Sequence, residues 1–216
     1  MAVNSFKSVI TVFISLGILL ITYSASAAVG CTLNDPERDL RRIFPESTGY
    51  KTSFHTIEGA GREGLKKKVE SLLNDRLDPV YEAEDVPYAY YDVLKGKEVI
   101  GRVHGINQKG AYGGIQIILA TDLEGNIVDF YYQRISSPQA RYFRDESFTQ
   151  QFIGLGLEDL YRQDMLEKIK QPTPGETEDF FNTLRGIKKN LILLDAFYFD
   201  GMQNSRIGKV EKGERP

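Results

Sequence analysis

Between residues 59 and 94 the spacing of apolar positions changes from steps of three and four to steps of two. Before the change, Leu65, Val69, Leu72 and Leu73 recur at helical intervals and predict an amphipathic helix over residues 62–77, ended by Pro79. The lysine triplet Lys66-Lys67-Lys68 falls mostly on the opposite face, as a solvated helix surface requires. Residues 35–44 carry Leu40, Ile43 and Phe44 among charges and stop at Pro45, which predicts a shorter helix. After the change, residues 88–94 are rich in Tyr and Val. Lys95-Gly96-Lys97 reads as a turn, and residues 98–104 place Val99 and Val103 on one face, so the pair predicts a hairpin. Residues 115–120 are almost continuously apolar and predict a strand covered on both faces. Asp122-Leu123-Glu124-Gly125-Asn126 is turn chemistry, and residues 127–133 return as its antiparallel partner.

The helical period comes back towards the C-terminus. Residues 148–160 read as helix interrupted around Gly154 and Gly156, with residues 164–169 as an extension or a second short helix. Residues 174–194 carry Phe180, Leu184, Ile187, Leu191 and Leu194 at steps of three and four, a core-facing stripe. Phe197, Tyr198 and Phe199 then predict a final edge strand over residues 195–202. Helices on both sides of a mainly antiparallel sheet of hairpins define an α+β fold class. We expect residues 28–80 to form a helical segment packed on the domain, residues 81–204 to form the domain, and residues 205–216 to be a disordered tail.

The first residues belong to a different pattern. Lys7 precedes an apolar run over residues 9–21, and Ala25-Ser26-Ala27 offers a small-residue cleavage site, so residues 1–27 read as a secretory signal. The run is short for a bilayer span, which needs about 20 apolar residues. Cys31 is the chain's sole cysteine, which excludes an internal disulfide. Ala28-Val29-Gly30-Cys31 resembles a lipobox; on that reading residues 1–30 are removed and Cys31 carries a lipid anchor. The alternative is a chance cysteine in the mature N-terminal region. Either reading places the protein outside the cytoplasm, periplasmic or anchored on the extracytoplasmic side of a membrane. The formal net charge is −3, and removal of the signal takes away one lysine and no acid. Such a balance carries no electrostatic footprint for nucleic acid.

The available chemistry is narrow. With two histidines, His55 and His104, and one cysteine, the chain offers too few ligands for a zinc or iron centre. His104 ends a predicted strand and His55 lies in a polar connector, so both read as surface residues. No GxSxG elbow accompanies them, and the acid pairs Glu84-Asp85 and Asp145-Glu146 sit in predicted loops. One constellation remains. Gly110-Ala111-Tyr112-Gly113-Gly114 packs three glycines into five residues, which lets backbone approach a ligand closely, with Tyr112 free to stack on a ring. A tight strand-connecting turn uses the same composition.

Lys109-Gly110-Ala111-Tyr112-Gly113-Gly114-Ile115, the strand ending Ala120-Thr121-Asp122, and Glu124-Gly125-Asn126-Ile127 together resemble the FMN-binding domain family. That family includes flavin-bearing subunits of the sodium-pumping NADH:quinone reductase and of the Rnf complex. Its F-x-x-Q-F-x-G segment is matched by Phe148-Thr149-Gln150-Gln151-Phe152-Ile153-Gly154, and the likeness runs in order over residues 88–194. The resemblance implies an FMN attached through its phosphate to a threonine at the head of the last helix. That position falls on Thr177, with Gly175 beside it, and the Gly110, Tyr112, Gly113 and Gly114 turn lining the site. Around it Gln171, Pro174 and Glu176 stand where the family has Asp, Ser/Thr and Ala, and Ser136-Ser137-Pro138-Gln139 stands where it often has Glu-Thr-Pro-Gly.

Two functional expectations follow. By resemblance the protein is an extracytoplasmic FMN-bearing electron carrier or accessory subunit of a membrane electron-transfer system, with membrane redox proteins or an envelope complex as partners. Tyr88, Tyr90, Tyr91, Tyr131, Tyr132 and Arg134 join Tyr112 as ring or phosphate contacts on that reading. The alternative is a cofactor-free member of the family acting as an envelope binding or assembly module. It draws on Glu176, Glu178 and Asp179, which would repel a phosphate from the helix start, and on Thr173, Pro174 and Glu176, which fit an N-cap, N1 and N3 of a capping box.

Overall fold

The computed structural model describes residues 31–59, 61–173 and 178–203. The signal sequence, the tail, and Pro174, Gly175, Glu176 and Thr177 therefore lie outside the described residues. A five-stranded antiparallel sheet in the order β1-β2-β3-β4-β5 organises the rest. Its strands are β1 (Gly49–His55), β2 (Tyr88–Lys95), β3 (Glu98–Gly110), β4 (Gly113–Thr121) and β5 (Ile127–Ile135). Six α-helices accompany them among the described residues: α1 (Pro36–Ile43), α2 (Leu65–Leu73), α3 (Ala140–Phe143), α4 (Glu146–Thr149), α5 (Gln163–Leu166) and α6 (Glu178–Tyr198). The fold is α+β, as the hydrophobic pattern predicts.

Local chemistry accounts for the main elements. The Asp35 side chain accepts the amide of Arg38, Pro36 sits at the helix start, and Arg41 and Arg42 occupy the last turn of α1. At the β4–β5 turn Oδ1 of Asp122 accepts from the amides of Glu124 at 3.0 Å and Asn126 at 2.8 Å, while Gly125 takes φ 90°. In β4, Ile115, Ile117 and Leu119 face one core and Ile118 and Ala120 the other. The larger core lies between the sheet and α6. The smaller one lies under α1, where Leu40 and Phe44 cover Val93, Val103 and Ala120. Gly186 lets α6 come down on the sheet, since a Cβ there would stand 2.7 Å from Cδ1 of Ile117.

Several expectations are corrected. Residues 49–55, within the stretch read as helical, form β1 and pair along their whole length with β2, from Gly49 opposite Leu94 to His55 opposite Tyr88. The helix read over residues 62–77 is shorter, because Gly64 before it and Asn74 after it both take left-handed conformations. The edge strand read over residues 195–202 is replaced by helix. Helix α6 runs on to Tyr198, and the ring of Phe197 stacks on His55 with centroids 4.9 Å apart. Packing against the sheet overrides the strand preference of the aromatic run. His104, read as a surface residue, is fully buried in mid-strand and bonded to Asn190 of α6.

Candidate functional site

Three segments that are far apart in sequence meet at one end of the sheet. The β3–β4 turn closes with Gly110 opposite Gly113, and it leaves Ala111 and Tyr112 exposed. The amide of Ala111 donates to Oδ1 of Asp179, in the first turn of α6, at 2.8 Å. Ser136, from the proline-containing loop, donates its hydroxyl to the carbonyl of Gly114 at 3.3 Å. The structure thus brings Gly110, Tyr112, Gly113 and Gly114 to the head of the last helix. Thr177 and Gly175 lie outside the described residues.

The glycines at this junction face protein atoms. A Cβ on Gly110 would stand 2.8 Å from Oδ1 of Asp179 and 2.8 Å from Cδ1 of Ile115, and one on Gly114 would stand 3.0 Å from Cε1 of Tyr81. Asp179 is buried, while Tyr112 is 65% exposed. Thr173, read as an N-cap, is buried, and the Gly175 and Glu176 amides that it would cap lie outside the described residues.

The tyrosines do not converge. Tyr88, Tyr90 and Tyr132 point into the core beneath α6, with the Tyr132 hydroxyl 2.9 Å from Oγ1 of Thr183. Tyr91 and Tyr131 belong to the opposite face, where Tyr131 donates to Oδ2 of Asp39 at 3.0 Å. Arg134 is exposed. A groove of about 560 Å³ opens beside Tyr131, lined also by Arg38, Arg42, Asp129, Arg144 and Gln150. Its volume would suit a small ligand. Its arginines are already engaged, however: Arg42 pairs with Asp129 at 2.9 Å, Arg38 with Asp39 at 3.0 Å, and Arg144 donates to the carbonyl of Tyr132.

Sequence reasoning missed a buried charged network along the middle of α6. Oε1 of Glu82 accepts from Arg185 at 2.7 Å and from Lys189, which is fully buried. Lys189 also donates to the carbonyl of Asn107 at 2.7 Å, and Arg185 reaches Asp75 at 2.7 Å and Oε1 of Gln108 at 2.8 Å. Burial draws the Lys189 ammonium down to about 8, against the pull of Glu82. Burial also pushes Glu82 up, but Lys189 and Arg185 more than offset it and its net direction is down. Lys189 donates to Glu82, to Asn107 and to Gln108, so the network is a clamp between α6 and the loop before β2, with no free nucleophile. Among the described residues no group of His, Cys, Asp and Glu side chains could hold a metal ion, and no helix is long and apolar enough to cross a membrane.

No protein-family model matches this sequence, and no curated protein matches it. The geometry therefore stands by itself. The turn amide is taken by a carboxylate, the glycine faces are filled, and Glu178 and Asp179 set two negative charges at the helix start, where an anion would otherwise be attracted.

Proposed function

We propose that this chain is an exported protein of FMN-binding-domain type that serves a membrane electron-transfer system as a cofactor-free accessory or assembly subunit. The observation that carries this reading is the hydrogen bond from the Ala111 amide to Asp179. The protein's own carboxylate fills the place beside the glycine turn that a ligand anion would need, and it ties the turn to the last helix without a cofactor. The burial of Cys31 favours a form without a lipid anchor, because an acylated sulfur would have to leave the core. The test is to express the full chain in cells that carry a flavin-attaching enzyme and to record its absorption spectrum and intact mass. The expected product is colourless, has the mass of the polypeptide alone, and crosslinks to a membrane redox protein. A mass increment of one FMN on Thr177 overturns the reading.

A second reading keeps the flavin on Thr177, with Gly175 and the Gly110–Gly114 turn beside it, and makes the protein an electron carrier. The convergence of the turn, the Ser136 loop and the head of α6 favours it, since this is the arrangement that the family resemblance implies. In that case the isoalloxazine supplies the redox chemistry, while the chain positions it. The same spectrum and mass separate the two readings.

A further inference from the structure

The two edges of the sheet are treated differently. The outer edge of β5 is covered at its start: the amide of Gly154 donates to the carbonyl of Ile127 at 2.7 Å, and the amide of Ile127 donates to the carbonyl of Leu155 at 2.9 Å. Further along the strand, Arg144 donates to the carbonyl of Tyr132. Among the described residues no such backbone contact lies along residues 49–54 of β1; Arg62 reaches only its end, where it meets His55 at 2.8 Å and donates to the carbonyl of Thr56 at 2.6 Å. This strand is seven residues long, pairs with β2 without a bulge, and contains no proline. On one face it presents Tyr50, 41% exposed, and Phe54, 60% exposed. An open, regular edge with exposed aromatics is a template for another strand.

The sequence of this edge is nearly symmetric about Thr52. If a second β1 is laid antiparallel with Thr52 opposite Thr52, each Tyr50 faces Phe54 of the other copy, each Lys51 faces Ser53, and Gly49 faces His55. Aromatic pairs and threonine pairs stabilise directly opposed positions, and no like charges meet. Lys51, a residue that often protects an edge, is placed opposite a neutral serine. We propose that the occupant of this edge is a second copy of the chain, joined about a two-fold axis through Thr52 into one continuous ten-stranded sheet. A two-fold interface must be self-complementary, which this register satisfies. Seven residues a side is well below the roughly 20–30 of a standard interface, so the dimer is weak and forms with rising concentration.

The test is sedimentation velocity on the full chain across the micromolar range, with two charged variants. Tyr50 and Phe54 are exposed, so Tyr50→Lys/Phe54→Lys and Tyr50→Glu/Phe54→Glu should both fold, which circular dichroism checks. The wild type should shift from monomer to dimer as concentration rises. Each charged variant should stay monomeric, and an equal mixture of the two should regain the dimer, because the register sets lysine against glutamate. A wild type that remains monomeric throughout, or charged variants that dimerise as well as the wild type, overturns the proposal. Failure of the mixture to recover the dimer overturns the register.

Discussion

Cys31 illustrates how a residue with two readings in sequence acquires one environment in the fold. Spacing from the signal sequence makes it a lipidation candidate, whereas tertiary packing sets its sulfur over the backbone of Gly105, where a Cβ would come within 2.7 Å of Sγ. The thiol is buried with Leu33, Leu40 and Tyr91, and burial pushes it up to about 12, with Lys189 acting weakly in the other direction. A thiolate is the reactive species, so the native thiol should be inert at neutral pH. We expect a maleimide to leave the folded protein unmodified and to add once per chain after unfolding in urea, followed by intact mass. Rapid labelling of the native protein would show that the N-terminal segment leaves the small core in solution. The Thr173 hydroxyl makes a related point. The capping pattern around it is legible in the sequence, but the amides that a cap at Thr173 would take, those of Gly175 and Glu176, lie outside the described residues.

Elements whose signals are local are legible in the chain, and those that depend on distant partners are not. Both hairpins can be read because alternation and turn residues coincide, as at Asp122 and Gly125. The contact of the Gly110 turn with Asp179 joins residues 68 apart and has no signature in periodicity. β1 escapes notice because Lys51, Thr52 and Ser53 give it a polar centre, and its pairing with β2 becomes visible only in three dimensions. The clamp on α6 is equally hidden, since Glu82 and Lys189 are 107 residues apart. Its energetics depend on which partner is removed. Glu82→Ala would leave Lys189 in the interior without its counter-charge, while Arg185 keeps Asp75, a change of the kind that costs about 3–5 kcal/mol. Lys189→Met should cost less, because Arg185 still neutralises Glu82 and the methionine chain fills the same space. Replacing both at once, with leucine and methionine, should recover part of the loss. Urea denaturation of the three variants checks the ordering, and equal losses for the two single changes would mean that the ion pair is not the organising contact.

For the molecule as a whole, acid should act first through His104. Burial pulls this imidazole from 6.5 down to about 4; the bond to Asn190 opposes the fall and the neighbouring Arg102 adds to it. The carboxamide oxygen of Asn190 can only accept, so the proton sits on Nδ1 and Nε2 remains a buried lone pair with no partner among the described residues. The folded value is depressed, so the unfolded chain takes up a proton that the native state refuses. The stability tied to His104 is complete above about pH 6.5, falls as pH drops through the window, and is lost near pH 4, amounting to about 3 kcal/mol. His55 contributes with the same sign, since burial and then Arg62 lower it as well. Urea midpoints measured at steps from about pH 7.5 to about pH 4.5 should therefore decline well before most carboxylates titrate. His104→Leu separates this effect from general acid lability. The variant should be less stable at neutral pH, because Asn190 loses its partner, yet flatter in its pH dependence between the two values. An unchanged slope in the variant would assign the acid sensitivity to other groups.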